Sequence, residues 1–391
     1  MLASLATLPR KSLWSPRRLI WDTAAGLEKD GKHAFGADIR FTNRSTHRHK
    51  FFFQHETLGM AITLNRLVPR DLGRWNADRW RDARQRTANF CVYVFVRLVV
   101  GFIQTLPLDM GDSICRTLAT FVSRHAKIRH DTTASNLASV FPDASEQEYR
   151  QIELAMWHSL MLMICEIAWA QRRLHLTNWS QYVQFRNHRG ILRGCLSKRP
   201  LVMVTGHFGN FEIGGYTAGL MGCESTTIAR RLDNPFVHRW VERFRSAKGQ
   251  KMIDKEGCAM AVDQHLADGG TLTILADQHA GPKGCWTHFL GVPASCHKAL
   301  ALFSLGSGAP MLAGSTRRIN GQPMQFESAC VAVADPLDDP DGDCESVGSL
   351  TKWYNRQLAF SVGESVEQYW WLHRRWREPP PRVAKRLAKA A

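Results

Sequence analysis

Residues 201–222 read LVMVTGHFGNFEIGGYTAGLMG, and the fold class follows from how they are read. Leu201 to Val204 is a short apolar run of strand type, Gly206 to Asn210 interrupts it with turn chemistry, and an apolar run of helical length follows. The same alternation continues through STTIA (225–229), PFVHRWVERFRSAKG (235–249), EGCAMAVDQHLADGG (256–270), TLTILAD (271–277), CHKALALFSLGSG (296–308) and APMLAGSTRR (309–318). Strand and helix patterns in alternation predict an α/β fold, with a central mixed sheet and flanking helices. In such folds ligands collect at the carboxyl ends of the strands.

Upstream, residues 109–130 and 145–174 read as helices, the second with Ser145 as N-cap and Glu148 in capping-box position. Met156, Leu160, Met163 and Ile167 recur there at helical spacing, the mark of a core-facing stripe. Further upstream, FCVYVFVRLVVGFIQTLPL (90–108) is long enough to cross a bilayer but carries Arg97, Gln104 and Pro107. A central Arg costs roughly 2.5 to 3.5 kcal/mol on an insertion scale. Six Arg lie in the twenty residues before it and three Lys or Arg in the twenty after. A spanning helix would therefore leave the N-terminus in the cytoplasm and the main body outside, whereas an interfacial segment avoids that consequence.

The chain has 391 residues, 44% hydrophobic and 22% charged, which excludes a disordered or fibrous protein. Its net charge of +16 is unevenly placed. Residues 1–86 hold 17 basic and 8 acidic side chains, residues 374–391 hold 7 and 1, and the body between holds 27 and 26. Basic ends on a neutral body suit an anionic membrane surface, and nucleic acid is not expected as a partner. The organisation expected is an irregular basic extension (1–86), a hydrophobic membrane-associating segment (87–108), one catalytic domain (109–380) and a basic tail (381–391). MLASLATLPRK at the start is too short in its apolar part for a secretory signal. Ten thinly spread Cys without a C-x-x-C pair indicate a reducing compartment. Cys285, His288, Cys296 and His297 cluster, but their spacing matches no familiar zinc pattern, so no metal or other cofactor is expected. The acidic 335–343 run lacks EF-hand spacing and reads as a surface loop.

Chemistry centres on His207 and Glu212. At a strand-to-helix turn the Glu212 carboxylate can fold back on the imidazole, fix its tautomer and leave Nε2 as a base for an attacking hydroxyl. The spacing alone proves little, since His33 with Asp38 and His373 with Glu378 repeat it. Context singles out His207, which follows an apolar strand and is flanked by Gly206 and Gly209, both allowing close backbone approach. A satisfied core histidine remains the alternative. No G-x-S-x-G elbow, Walker A loop or G-x-G-x-x-G after a strand is present.

HFGNFE (207–212), Asn136-Leu137, FPDASEQE from Phe141, Arg230 in IARRLDNP, Asp277-Gln278 in LADQHAGPKG and QYWWLHRRW from Gln368 together resemble the bacterial lipid A biosynthesis lauroyl/myristoyl acyltransferase family. That family lies within the lysophospholipid acyltransferases, marked by H-x4-[DE]. The resemblance spans roughly residues 90–380 in consistent order. It implies an O-acyltransferase with His207 as general base and Glu212 as its orienting partner. Arg230 and Asp277 would bind or orient substrates and Lys283 would meet a phosphate; in the mechanism this suggests, backbone N–H groups near Gly209 and Asn210 would steady an oxyanion. His373, Arg374 and Arg375 match the closing motif, either structural or anion-binding. The implied donor is acyl-acyl-carrier protein and the acceptor a lipid A precursor in the membrane, which places the enzyme on the cytoplasmic face of the inner membrane. Acylation of a lysophospholipid or a phosphatidylinositol mannoside, or a non-catalytic membrane-surface binding role, are the alternatives. The departure is N-terminal: the family's short hydrophobic anchor is here preceded by 86 residues, so either the segment does not span or the true start lies after Met1.

Overall fold

The alternation around residue 207 folds into a seven-stranded mixed sheet with helices on its faces. The computed structural model describes residues 77–390, and residues 89–390 fall within one compact unit. Four helices come first: α1 (Ala77–Thr105), α2 (Leu108–Phe121), α3 (His130–Val140) and α4 (Glu146–Arg173). The α/β part follows as β1 (Val183–Arg186), α5 (His188–Leu196), β2 (Leu201–Thr205), α6 (Phe211–Leu220), β3 (Ser225–Ala229), α7 (Pro235–Ser246), β4 (Gln250–Asp254), α8 (Cys258–Ala267) and β5 (Thr271–Leu275). A separate hairpin of β6 (Cys285–Phe289) and β7 (Val292–Cys296) leads to α9 (Ala299–Ser307), β8 (Met311–Arg318), β9 (Phe326–Ala334), α10 (Val347–Glu364) and α11 (Pro381–Ala390).

Strand order is β1-β9-β8-β2-β5-β3-β4, parallel at every pairing except β8 with β9. Central strands of such a sheet are covered on both faces and read as continuous apolar runs. Accordingly Val202, Val204, Leu272, Met311 and Ala313 are all fully buried. In register, Leu201 to Thr205 of β2 lies beside Thr271 to Leu275 of β5, so the two strands end level with one another.

Helix α4 begins with the expected capping box, the Ser145 hydroxyl accepting from the Glu148 N–H while the Glu148 carboxylate accepts from the Ser145 N–H. Met156 and Met163 of its stripe are buried, and Leu160 and Ile167 are half-buried. Burial of a Met or Leu side chain contributes about 1.5 to 3 kcal/mol each. Besides α4, only α1 among the described helices is long and apolar enough to cross a membrane. Half of α4 is buried in the body, whereas the apolar part of α1 is exposed, with Phe95 at 66% and Leu98 at 68%.

One reading changes here. Residues 77–86, expected to be irregular, are the first turns of α1, because Ala, Arg and Gln favour a helix even without an apolar stripe. The rest of the expected extension, residues 1–76 with His33 and Asp38, lies outside the described residues. The PFVHRWVERFRSAKG segment forms α7, whose aromatic side chains pack on neighbouring helices. Phe236 packs on Phe90 with ring centroids 5.5 Å apart, and Phe244 stacks on Tyr216 at 5.6 Å, while Arg239 and Arg243 stay exposed.

Candidate active site

His207 stands two residues beyond the end of β2, and Asp277 two residues beyond the end of the adjacent β5. Strand register therefore delivers both side chains to one point at the carboxyl edge of the sheet. The Asp277 carboxylate accepts from His207 Nδ1 at 2.8 Å through Oδ1 and from the His207 backbone N–H at 2.9 Å through Oδ2. A proton on Nδ1 leaves the Nε2 lone pair directed away from the carboxylate, as a general base requires. Gly206 makes the approach possible, since a Cβ there would lie 3.1 Å from the Asp277 carboxyl carbon.

Asp277 is 1% exposed. Burial by itself raises its pKa, but the charge of His207 and both hydrogen bonds from that residue outweigh it and hold the carboxyl down at about 2. The imidazole of His207 is packed edge-on against Phe211 and His373, at 5.4 and 4.9 Å between centroids, and tilted against Trp370 at 5.0 Å. His373 in turn stacks on Trp370 at 5.5 Å. Burial, followed by the charge of His207, lowers the His373 pKa to about 4.

Glu212 does not meet the imidazole. Its carboxylate is held by Arg245 of α7, which engages both oxygens, the Nε contact being 3.3 Å. As the second residue of α6, Glu212 points toward α7, and the five-residue spacing becomes a helix-to-helix tie. The carboxylate that orients His207 comes instead from 70 residues downstream.

Gly209 and Asn210 also differ from expectation. Gly209 has φ +60°, and a Cβ would collide with the Thr316 carbonyl oxygen, so a glycine is required there. Its N–H donates to the Gln368 carbonyl at 3.0 Å, and the Asn210 N–H donates to the Thr316 carbonyl at 2.8 Å. Both expected oxyanion donors are thus committed to the fold. The Asn210 side chain caps α6 through Ile213 N–H and donates to Glu166 Oε2 at 2.9 Å. Glu166 closes a buried network by accepting two hydrogen bonds of 2.7 Å from Arg318, with the two side chains 0% and 3% exposed.

Arg230, just past β3, is exposed and pairs with Asp233 at 3.2 Å. Lys283 is exposed in the turn between Asp277 and β6. Neither is brought against the dyad. Arg375, from the closing motif, is fully buried and donates to the carbonyls of Gln278 at 2.9 Å and Ser295 at 2.6 Å, which braces the chain beside Asp277. The Cys285 and Cys296 pair lies opposite in the β6–β7 register, and Cys296 Sγ contacts Arg375 and Asn355. Among the described residues no three His, Cys, Asp or Glu side chains come together as a metal site.

The sequence motifs include Gln278 and Trp370 but give neither a role, and they do not pair Asp277 with His207. One signal for that pairing was present, since both residues stand at the same offset from an apolar five-residue run.

Comparison with known proteins points to one family. The chain is 24% identical over 295 residues to the lipid A biosynthesis lauroyltransferase of Escherichia coli K12, covering 74% of this chain and 91% of that protein. It is 23% identical over 260 residues to the lipid A biosynthesis palmitoleoyltransferase of the same organism, covering 65% and 80%. To a lipid A biosynthesis acyltransferase of Haemophilus influenzae it is 21% identical over 286 residues, covering 71% and 84%. The sequence model of the bacterial lipid A biosynthesis acyltransferases matches residues 81–378, which holds the dyad, its aromatic surround and the Arg375 brace, and this chain belongs to that family of acyltransferases.

Proposed function

We propose that the protein moves a fatty acyl chain from an acyl-carrier-protein thioester to a hydroxyl of a lipid A precursor at the cytoplasmic face of the inner membrane. The observation that carries this reading is the His207–Asp277 pair at the carboxyl edge of the sheet, in which the carboxylate engages Nδ1 and not Nε2. Nε2 takes the proton of the acceptor hydroxyl as its oxygen attacks the thioester carbonyl carbon. The tetrahedral intermediate collapses with cleavage of the C–S bond, and the departing thiolate recovers the proton from Nε2. Products are an ester and a free thiol, and the imidazole is regenerated. These steps pass through no acyl-enzyme and call on no metal. General base catalysis contributes typically 10² to 10⁴ in rate. Arg230, at the same sheet edge as the dyad, and Lys283 supply cations for the anionic groups of the acceptor.

Membrane attachment is assigned to α1 and α2. Phe90, Phe95, Leu98 and Phe102 of α1 are exposed, as are Met110, Ile114, Leu118 and Phe121 of α2. Arg97, the charge that weighs against simple insertion, lies over the rings of Tyr93 and Trp240 at 5.9 and 5.7 Å. Its positive charge is thereby partly offset by aromatic faces. An apolar surface of this extent on a soluble body marks a contact with membrane or protein.

The test is transfer of labelled lauroyl or palmitoleoyl groups from acyl-carrier protein to extracted lipids, with mass spectrometry of the product. An acylated lipid A precursor is expected. Acylation of a lysophospholipid instead would replace the acceptor, and no transfer to any lipid would overturn the reading.

A further inference from the structure

We infer that the side-chain amide of Gln278 is the donor that stabilises the oxyanion of the tetrahedral intermediate, an inference that rests on the acyl-transfer reading above. Four observations converge on it. The Gln278 amide nitrogen lies 3.4 Å from His207 Nε2, the atom that receives the acceptor's proton. With the imidazole proton fixed on Nδ1 by Asp277, Nε2 is an acceptor, so the amide turns an N–H toward it. At 3.4 Å that hydrogen bond is long and is readily displaced.

The second observation is that the main chain at Gln278 is fixed while its side chain is not covered. Buried Arg375 donates to the Gln278 carbonyl at 2.9 Å, and Asp277 immediately before it is locked on His207. Gln278 itself is exposed, unlike Ala276 and Asp277 before it, which are buried. The amide is therefore both positioned and reachable by a substrate.

Third, two backbone donors of the turn that follows His207 are committed. Gly209 N–H and Asn210 N–H point to the carbonyls of Gln368 and Thr316. Releasing either would break a main-chain contact that holds the His207 loop against β8 or the 366–371 segment. Neither can turn to an oxyanion without that loss.

Fourth, the geometry of the reaction suits the amide. The attacking hydroxyl oxygen must hydrogen-bond to Nε2, the position that the amide fills in the resting site. The oxyanion sits on the same carbon as that attacking oxygen. A hydroxyl that displaces the amide from Nε2 thus frees an N–H within reach of the oxygen where negative charge develops. A donor engaged in this way acts in the transition state more than in the ground state, which is what raises kcat.

The test compares Gln278→Ala and Gln278→Glu with the parent enzyme, using lauroyl-acyl-carrier protein as donor, a lipid A precursor as acceptor and His207→Ala as control. Gln278→Ala is expected to lower kcat by about 10² to 10³ while KM for both substrates stays within about threefold. Gln278→Glu keeps the side-chain length but offers an acceptor instead of a donor. It should not recover kcat, and the acid limb of its kcat/KM profile should move to higher pH, because a carboxylate beside Nε2 favours the imidazolium. Melting temperatures of both variants should match the parent, the side chain being exposed. A kcat for Gln278→Ala within threefold of the parent, or a loss confined to KM, or full activity of Gln278→Glu, overturns the inference. Transfer by His207→Ala at the parental rate overturns the underlying reading instead, so the two failures are told apart.

Discussion

His207 and Asp277 meet through two hydrogen bonds, one from the ring at 2.8 Å and one from the backbone at 2.9 Å. The second matters as much as the first, because it ties the carboxylate to the main chain and not only to a ring that can rotate. The pair occupies matched positions beyond two neighbouring parallel strands, at the sheet edge where α/β folds collect ligands.

Exchange of the two candidate carboxylates separates their roles. Asp277→Asn should reduce kcat by about 10² to 10⁴, because the amide no longer steadies the imidazolium. Glu212→Gln should keep kcat within about tenfold of the parent and lower the melting temperature, since it loosens the Arg245 tie between α6 and α7. Equal losses of kcat in both variants would return Glu212 to the chemistry.

Acid should weaken the fold in two stages. His373 has a folded pKa of about 4 against an ordinary value of 6.5, so the unfolded chain binds the proton more readily. Its contribution is complete above about pH 6.5 and is lost as pH falls toward 4. Asp277, at about 2 against 3.8, contributes fully above about pH 4 and loses that contribution as pH falls toward 2. Urea midpoints measured from pH 7 to 3 should show the upper stage in the parent and not in His373→Phe. An unchanged slope between pH 6.5 and 4 in that variant would contradict the assignment.

The buried Glu166–Arg318 pair anchors the His207 loop through Asn210. Glu166→Ala leaves an unpaired buried guanidinium and should cost about 3 to 5 kcal/mol. Glu166→Leu combined with Arg318→Met should recover much of that loss in chemical denaturation, because two buried charges are then replaced by apolar volume. A double variant no more stable than Glu166→Ala would show that the network serves the fold in another way.

Substitution of Phe95, Leu98 and Phe102 by Ser removes the apolar face of α1 without touching the sheet. Binding to vesicles containing phosphatidylglycerol should fall tenfold or more, each side chain being worth about 1.5 to 3 kcal/mol when buried. Activity toward detergent-solubilised substrate should remain within about twofold. Undiminished vesicle binding would remove α1 as the attachment element.

Much of the sheet was legible in the sequence because parallel central strands are continuous apolar runs, as in LVMVT and TLTIL. The edge strand β4, QKMID, was not, since Lys251 and Asp254 break its apolar character where one side faces solvent. Strand β9 and helix α10 likewise escaped notice. His207 could be singled out by its strand, its glycines and its family resemblance. Its partner could not be told from Glu212, because strand order and register, not sequence spacing, place Asp277 beside it. The oxyanion assignment to Gly209 and Asn210 failed for a related reason: where a backbone N–H donates depends on Thr316 and Gln368, more than 100 residues away.

The role of His207 as the base for acyl transfer is decided by single-turnover transfer with purified His207→Ala. With folding verified by circular dichroism and enzyme in excess over acceptor, the transfer rate is expected at least about 10²-fold below the parent across pH 6 to 9. Transfer at a rate within threefold of the parent would contradict it.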